Sequence, residues 1–217
     1  MKRPSMKQAA LRCTAVLLTV ASLNACAPLV LGSAVGSAFM ATDRRTSGTQ
    51  LEDKGIELKA ANRAREVLGE RGHVNVNAYN RQILLTGEVP NDGDKVAVEQ
   101  AVARTENVTG VVNELIVGPS SSLSTRSSDI LLAGKVKATF IDARDIFANA
   151  FDVVVERGDV YLMGLVTERE ANRAAELAAS ISGVRRVVKV LSLISEDELA
   201  RKLPRPPASS GNAPAQP

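Results

Sequence analysis

The stretch Val153-Val154-Val155-Glu156-Arg157-Gly158-Asp159-Val160-Tyr161-Leu162-Met163-Gly164-Leu165-Val166-Thr167-Glu168-Arg169-Glu170-Ala171 decides the fold. Val153 and Val155 read as a strand, Glu156 to Asp159 as a tight turn, and Val160, Leu162 and Val166 as the inward side of a second strand. Thr167-Glu168-Arg169-Glu170 is a capping box, in which the hydroxyl accepts an amide three residues on and the Glu returns the bond. It opens a helix through Ala174, Leu177, Ala178 and Ile181, which Gly183 stops, and Val184 to Ile194 is a last strand. Upstream, Leu132, Val136 and Phe140 at helical spacing mark an opening helix. The order is α-β-β-α-β.

The same order precedes it in the chain. Ile56 to Leu68 is helical, with Ile56, Ala60, Ala64 and Val67/Leu68 on one face. Val74, Val76 and Ala78 alternate, Tyr79-Asn80-Arg81 turns, and Ile83, Leu85 and Val89 alternate again up to Pro90. Asn91 and Asp92 cap a helix carrying Val96, Val98, Ala101 and Val102, and Val108 to Val117 is β-branched enough for a third strand. Gly87 and Gly164 match at an offset of 77, Val111 and Val187 at 76, so one gap relates two copies. Equivalent core positions recur (Ile83 with Val160, Leu85 with Leu162), and the copies are expected to share a fold while packing through different surfaces. Each unit of roughly 65 residues is large enough to fold singly. The class is α+β, with two small domains in tandem.

The flanks are of another kind. Lys2, Arg3, Lys7 and Arg12 precede an apolar run from Cys13 to Leu23, which is the layout of a secretory signal peptide. Leu23-Asn24-Ala25-Cys26 resembles a lipobox, with Asn24 where a small or hydroxyl residue is commoner. Asn24 and Pro28 interrupt the run before the ~20 residues that a membrane span needs. The chain is thus expected to be cut before Cys26 and lipidated there. Ala27, rather than Asp, follows the cysteine and favours the periplasmic face of the outer membrane. The chain then divides into a signal peptide (1–25), a lipidated membrane-proximal tether (26–50), a first domain (51–118), a Ser-rich linker (119–127), a second domain (128–195) and a Pro-rich tail (196–217) expected to be disordered.

Processing changes what the composition means. The formal net charge is +3, but four of the bases leave with the signal peptide, so the mature chain sits near −1. No basic patch with interleaved aromatics remains to suggest nucleic acid. Cys13 leaves as well and Cys26 is acylated, so no disulfide is expected in the oxidising compartment.

The αββαβ order, the glycines closing the second strand (Gly87, Gly164) and Gly183-Val184 after the second helix resemble the BON (bacterial OsmY and nodulation) domain. The first copy has Asn107-Val108 in place of that last step. The stretch Gly158 to Ala171, the lipobox and the pairing of domains are similar to the dual-BON outer-membrane lipoproteins of the DolP type, over about residues 23–194. The resemblance implies a part in envelope integrity, a second domain that binds anionic phospholipid, and gathering at division sites with envelope or division proteins as partners.

Catalysis is not expected. His73, at a strand edge, is the only histidine, and the mature chain keeps no free thiol, so neither a His-based triad nor a Cys/His metal site can be assembled. Glu168 and Glu170 are explained by a helix N-terminus that favours negative charge. Gly32 and Gly36 follow no strand and carry no lysine, so there is no phosphate loop. The expectation is no cofactor, no metal and no small-molecule substrate.

The helix opening the second domain is the unusual element. Leu132, Val136, Phe140 and Ala143 fall within one arc of about 80°, the expected core face. Ile130, Leu131, Gly134, Ala138 and Ile141 gather on the other side, over about 100°, with Lys135 and Lys137 flanking them. In the first copy the counterpart carries Lys54, Glu57, Lys59 and Arg65 among smaller apolar residues. A helix of a small α/β domain needs one apolar face, and this one has two. Either the second packs against protein (the first domain, a second copy of the chain or, in an adaptor, a protein or peptidoglycan-associated partner), or Ile130, Leu131, Lys135, Ala138 and Ile141 meet an anionic phospholipid membrane.

Overall fold

A computed structural model of the chain describes residues 43–202. The signal peptide, Cys26, the tether up to residue 42 and the tail beyond residue 202 lie outside the described residues.

Helix α1 (Ser47–Leu68) starts where the Thr46 hydroxyl accepts the Thr49 amide at 3.1 Å, and it buries Asp53, Ile56, Ala60, Ala64 and Leu68 along one edge. It begins earlier than its apolar pattern, inside the stretch read as tether, because a capped helix propagates cheaply through polar residues. Strands β1 (His73–Tyr79) and β2 (Gln82–Val89) form an antiparallel hairpin. Asn80 and Arg81 both take positive φ, at 49° and 66°, as a two-residue turn matched to strand twist requires. Helix α2 (Asp92–Ala103), capped by Asn91, returns the chain to β3 (Gly110–Asn113), parallel to β2.

The single third strand expected over Val108–Val117 is broken. Strand β4 (Ile116–Val117) pairs separately with β2, and Leu115 between β3 and β4 turns into the core. The Asn113 side chain explains the break: it accepts the Leu115 amide at 3.2 Å and donates to Lys95 O and to Glu99.

The second domain repeats the plan without the break. Helix α3 (Leu123–Asp142), capped by Ser122, leads through a 3₁₀ turn at Ala148–Ala150 into β5 (Phe151–Glu156). Strand β6 (Asp159–Val166) pairs antiparallel with β5 and, after helix α4 (Glu168–Ala179), parallel with β7 (Arg186–Leu193). Both halves of the Thr167/Glu170 capping box form. Gly87 and Gly164 close the second strands because a Cβ there would run into the carbonyl oxygens of His73 and Ala150. Residues 196–202, assigned to the disordered tail, form a short helix α5 (Glu196–Lys202) instead. Ser195 caps it, and Leu199 is buried.

Each sheet carries its two helices on one face, over a core centred on Ile83, Leu85, Val98 and Val102 in the first domain and Val136, Phe140, Val160 and Leu162 in the second. Phe140 meets Phe151 edge to face at 5.3 Å in the second core. The helix-free faces pack on each other: Tyr79 and Leu84 from one sheet against Tyr161, Met163, Leu165 and Val190 from the other. This corrects the expectation that the domains use different surfaces. Leu84 and Tyr161 are the same position in the two copies, and β2 and β6 are buried on both faces.

Candidate functional site

Helix α3 shows why its two stripes differ. Leu132, Val136 and Phe140 are buried and Ala143 packs half-buried against them, as the spacing predicts. On the other side Ile130, Leu131 and Ile141 are 72%, 69% and 72% exposed, and Gly134, Lys135 and Ala138 are exposed with them. The five candidate residues therefore share one open surface, and the first domain does not cover it. Lys137 is occupied by Asp152 at 3.6 Å, whereas Lys135 has no ion pair among the described residues. Leu123, assigned by its serine-rich neighbourhood to the linker, is in fact the first residue of α3. It is 81% exposed and lies on the same arc, so it extends the stripe by two turns. Helix α1 also exposes Leu51 and Leu58, larger than the small apolar residues expected there, but the Lys54–Glu57 pair at 3.1 Å keeps that surface polar.

The stripe is fastened from beneath. Asp129, on the buried side of α3, accepts the Arg157 and Gly158 amides at 2.8 and 2.9 Å and so fastens the helix to the β5–β6 turn. Asp53 does the same for Asn80 and Arg81, both at 2.8 Å. No local pattern marks these paired carboxylates; their signal in the sequence is a shared position in the repeat.

Polar contacts close the seam between the domains. Asn75 donates to Glu156 at 2.9 Å, Arg157 reaches the fully buried Glu88 at 3.4 Å, and Arg186 joins Glu114 at 2.9 Å. Burial, with Glu88 and Asp129 nearby, raises the Glu156 carboxyl above its ordinary 4.5 even though Asn75 donates to it. Burial and then Arg126 push His73 below 6.5 against the pull of Glu88, and its ring lies 3.2 Å from the Asn75 amide. Arg44 forks onto Glu170 at 2.7 and 2.8 Å and donates to Leu165 O, while Arg45 stacks on Tyr79 at 3.7 Å and pairs with Asp53. The residues entering α1 thus grip both domains. Among the described residues no group of His, Cys, Asp or Glu could hold a metal, and no helix is long and apolar enough to cross a membrane.

The BON domain family model matches residues 58–119 and 128–195, and the chain belongs to the BON-domain family. Outer membrane lipoprotein DolP of Haemophilus influenzae is 38% identical over 175 residues, 79% of this chain and 90% of that one, and this likeness makes the chain an outer-membrane lipoprotein of a non-enzymatic kind. A 21 kDa hemolysin of Actinobacillus pleuropneumoniae is 30% identical over 154 residues, 70% of this chain and 79% of that one. Among solved structures, CdsD, a structural protein of the type III secretion system of Chlamydia trachomatis, covers 65% of this chain and 95% of its own at 14% identity, with a TM-score of 0.29.

Proposed function

We propose that this protein is anchored through acylated Cys26 and uses the exposed stripe of α3 to bind anionic phospholipid, supporting envelope integrity and acting at division sites. One observation carries the reading: a single helix buries Leu132, Val136 and Phe140 and leaves Ile130, Leu131 and Ile141 about 70% open to solvent. Half-burying those three side chains in a headgroup layer is worth about 3–4 kcal/mol, and a lysine at an anionic surface adds up to ~1 kcal/mol. Acyl chains already anchor the protein, at ~0.8 kcal/mol per buried methylene. The stripe therefore orients a tethered domain and selects its lipid, as a sensor or scaffold would.

The test uses the mature chain with Cys26→Ser, which removes the acyl anchor. It is expected to float with vesicles containing phosphatidylglycerol and to remain free of phosphatidylcholine vesicles. Ile130→Glu with Leu131→Glu should abolish flotation and leave the circular dichroism spectrum unchanged, because both side chains stay solvated. A double variant that unfolds would mean the stripe is buried in protein, as the adaptor reading holds. One that stays folded and still floats would put the lipid site elsewhere.

A further inference from the structure

A groove of about 510 Å³ runs along one side of the exposed stripe, between α3, the β5–β6 turn and the loop that follows α4. Its walls carry Lys135, Arg157 and Arg185, with Ser128 and Ser182 between them, and Leu131 forms its rim. The one carboxylate present, Asp129, has both oxygens engaged by the Arg157 and Gly158 amides. Arg157 is partly drawn away by Glu88 at 3.4 Å. The Arg185 guanidinium donates to the Arg157 carbonyl at 3.2 Å, and neither it nor Lys135 has a carboxylate partner among the described residues. Two uncommitted cations and two hydroxyls thus face a cavity of small-ligand size.

We propose that this groove receives the phosphate-bearing headgroup of a single anionic phospholipid, with Lys135 and Arg185 as its charge partners. The inference rests on the lipid reading of the stripe and adds to it a stoichiometric headgroup site. Leu131 ties the two together: it belongs to the apolar stripe and lines the groove. On the helical wheel Ser124, Lys135 and Ser128 fall within about 60° of Leu131, just outside the edge of the stripe that Leu131 forms. A lipid whose acyl chains lie against Leu131 and Ile130 therefore has its phosphate within reach of the groove. The opposite flank of the stripe would not serve. There Ile130 borders a cavity of about 370 Å³ that shares Asp129 with the groove but adds the Glu156 carboxylate, beside His73 and Arg126, and that second carboxylate would oppose a phosphate.

The experiment compares the mature Cys26→Ser chain with three added changes. These are a groove pair (Lys135→Gln with Arg185→Gln), the stripe pair (Ile130→Glu with Leu131→Glu), and a control pair of equal charge change on α1 (Lys54→Gln with Lys59→Gln). On phosphatidylglycerol vesicles the groove pair should weaken binding at least about tenfold and flatten its salt dependence, and the control pair should change it less than about twofold. A short-chain phosphatidylglycerol, kept below its micelle concentration, should shift the backbone amide resonances of Gly158, Gly183 and Arg185 and saturate at one per chain. Short-chain phosphatidylcholine and inorganic phosphate at equal concentration should not. If the groove pair binds like the parent while the stripe pair fails, the headgroup site is overturned and the lipid reading stands. If the parent itself ignores phosphatidylglycerol vesicles, both fall. Equal losses in the groove and control pairs would mean diffuse electrostatics, and equal shifts from inorganic phosphate would mean a free-phosphate site. Either result overturns the proposal.

Discussion

Asp53 and Asp129 sit one repeat apart and act alike, each feeding both carboxylate oxygens to the amides of a turn whose residues hold positive φ. Hydrogen bonds to a charged group are worth about 1.5–3 kcal/mol each, so Asp129→Ala should cost on the order of 3 kcal/mol, and Asp129→Asn less, since one acceptor survives. Urea titration of the two variants checks this; equal losses would show that charge matters and geometry does not. Glu170 carries a pH prediction. Burial alone would raise its carboxyl, but Arg44 and the Thr167 amide outweigh it and hold the group below 4.5. A depressed carboxyl contributes stability that is complete above its unfolded value and lost as pH falls through its folded value. The thermal midpoint should therefore drop on acidification below about 4.5, and Glu170→Gln should flatten that limb. Glu156 runs the other way. Its raised carboxyl makes a contribution present below the ordinary carboxylate range and lost as pH rises through the folded value, so Glu156→Gln should stabilise the protein at pH 7 and converge with the parent in acid. Melting curves across pH read both variants at once.

At the scale of elements, periodicity made most of the fold legible. The capping box at Thr167 and the turn at Glu156–Asp159 set the second domain, and the offset between Gly87 and Gly164 carried the first. What escaped depended on side chains acting against local pattern. Asn113 breaks the last strand of the first copy by taking the Leu115 amide, and a β-branched run gives no hint of that. Ser122 caps α3 inside a serine-rich stretch that reads as linker, which hid Leu123 from the stripe. The core stripe of α3 was fully readable because spacing alone identifies it, and the open stripe was readable because a small domain has only one core to offer. Leu132→Ala or Phe140→Ala should each cost about 2–5 kcal/mol, since both side chains are enclosed and their loss leaves a cavity. Calorimetry of these two beside the Ile130/Leu131 double variant separates the faces: a comparable loss in the latter would mean that the stripe is not open.

At the scale of the whole molecule, two domains that could each have folded alone act as one, because each leaves a sheet face that only the other covers. Alternation on β6 was read for Val160 and Leu162, and the intervening Tyr161, Met163 and Leu165 were the signal of a second buried face. An eight-residue strand buried throughout needs cover on both sides, and the repeat supplies it from the equivalent strand. Cooperativity follows from that arrangement. The parent should unfold in a single transition, followed equally by probes in either domain, since separation would expose Leu84, Tyr161 and Met163 together. Met163→Asp places a charge at the centre of the seam with no partner, a burial that is costly unless the domains part. It should split the transition in two and quicken amide exchange at Leu84 and Tyr161. The core on the helix side of β6, built on Val160 and Leu162, should stay protected, because Met163 faces away from it. Vesicle binding is the discriminating measurement. The open stripe belongs to α3, which packs on the opposite face of the β5–β6–β7 sheet, so the variant should still float with phosphatidylglycerol vesicles. Loss of flotation in a protein whose second domain remains folded would show that the seam, and not α3 alone, builds the membrane-facing surface.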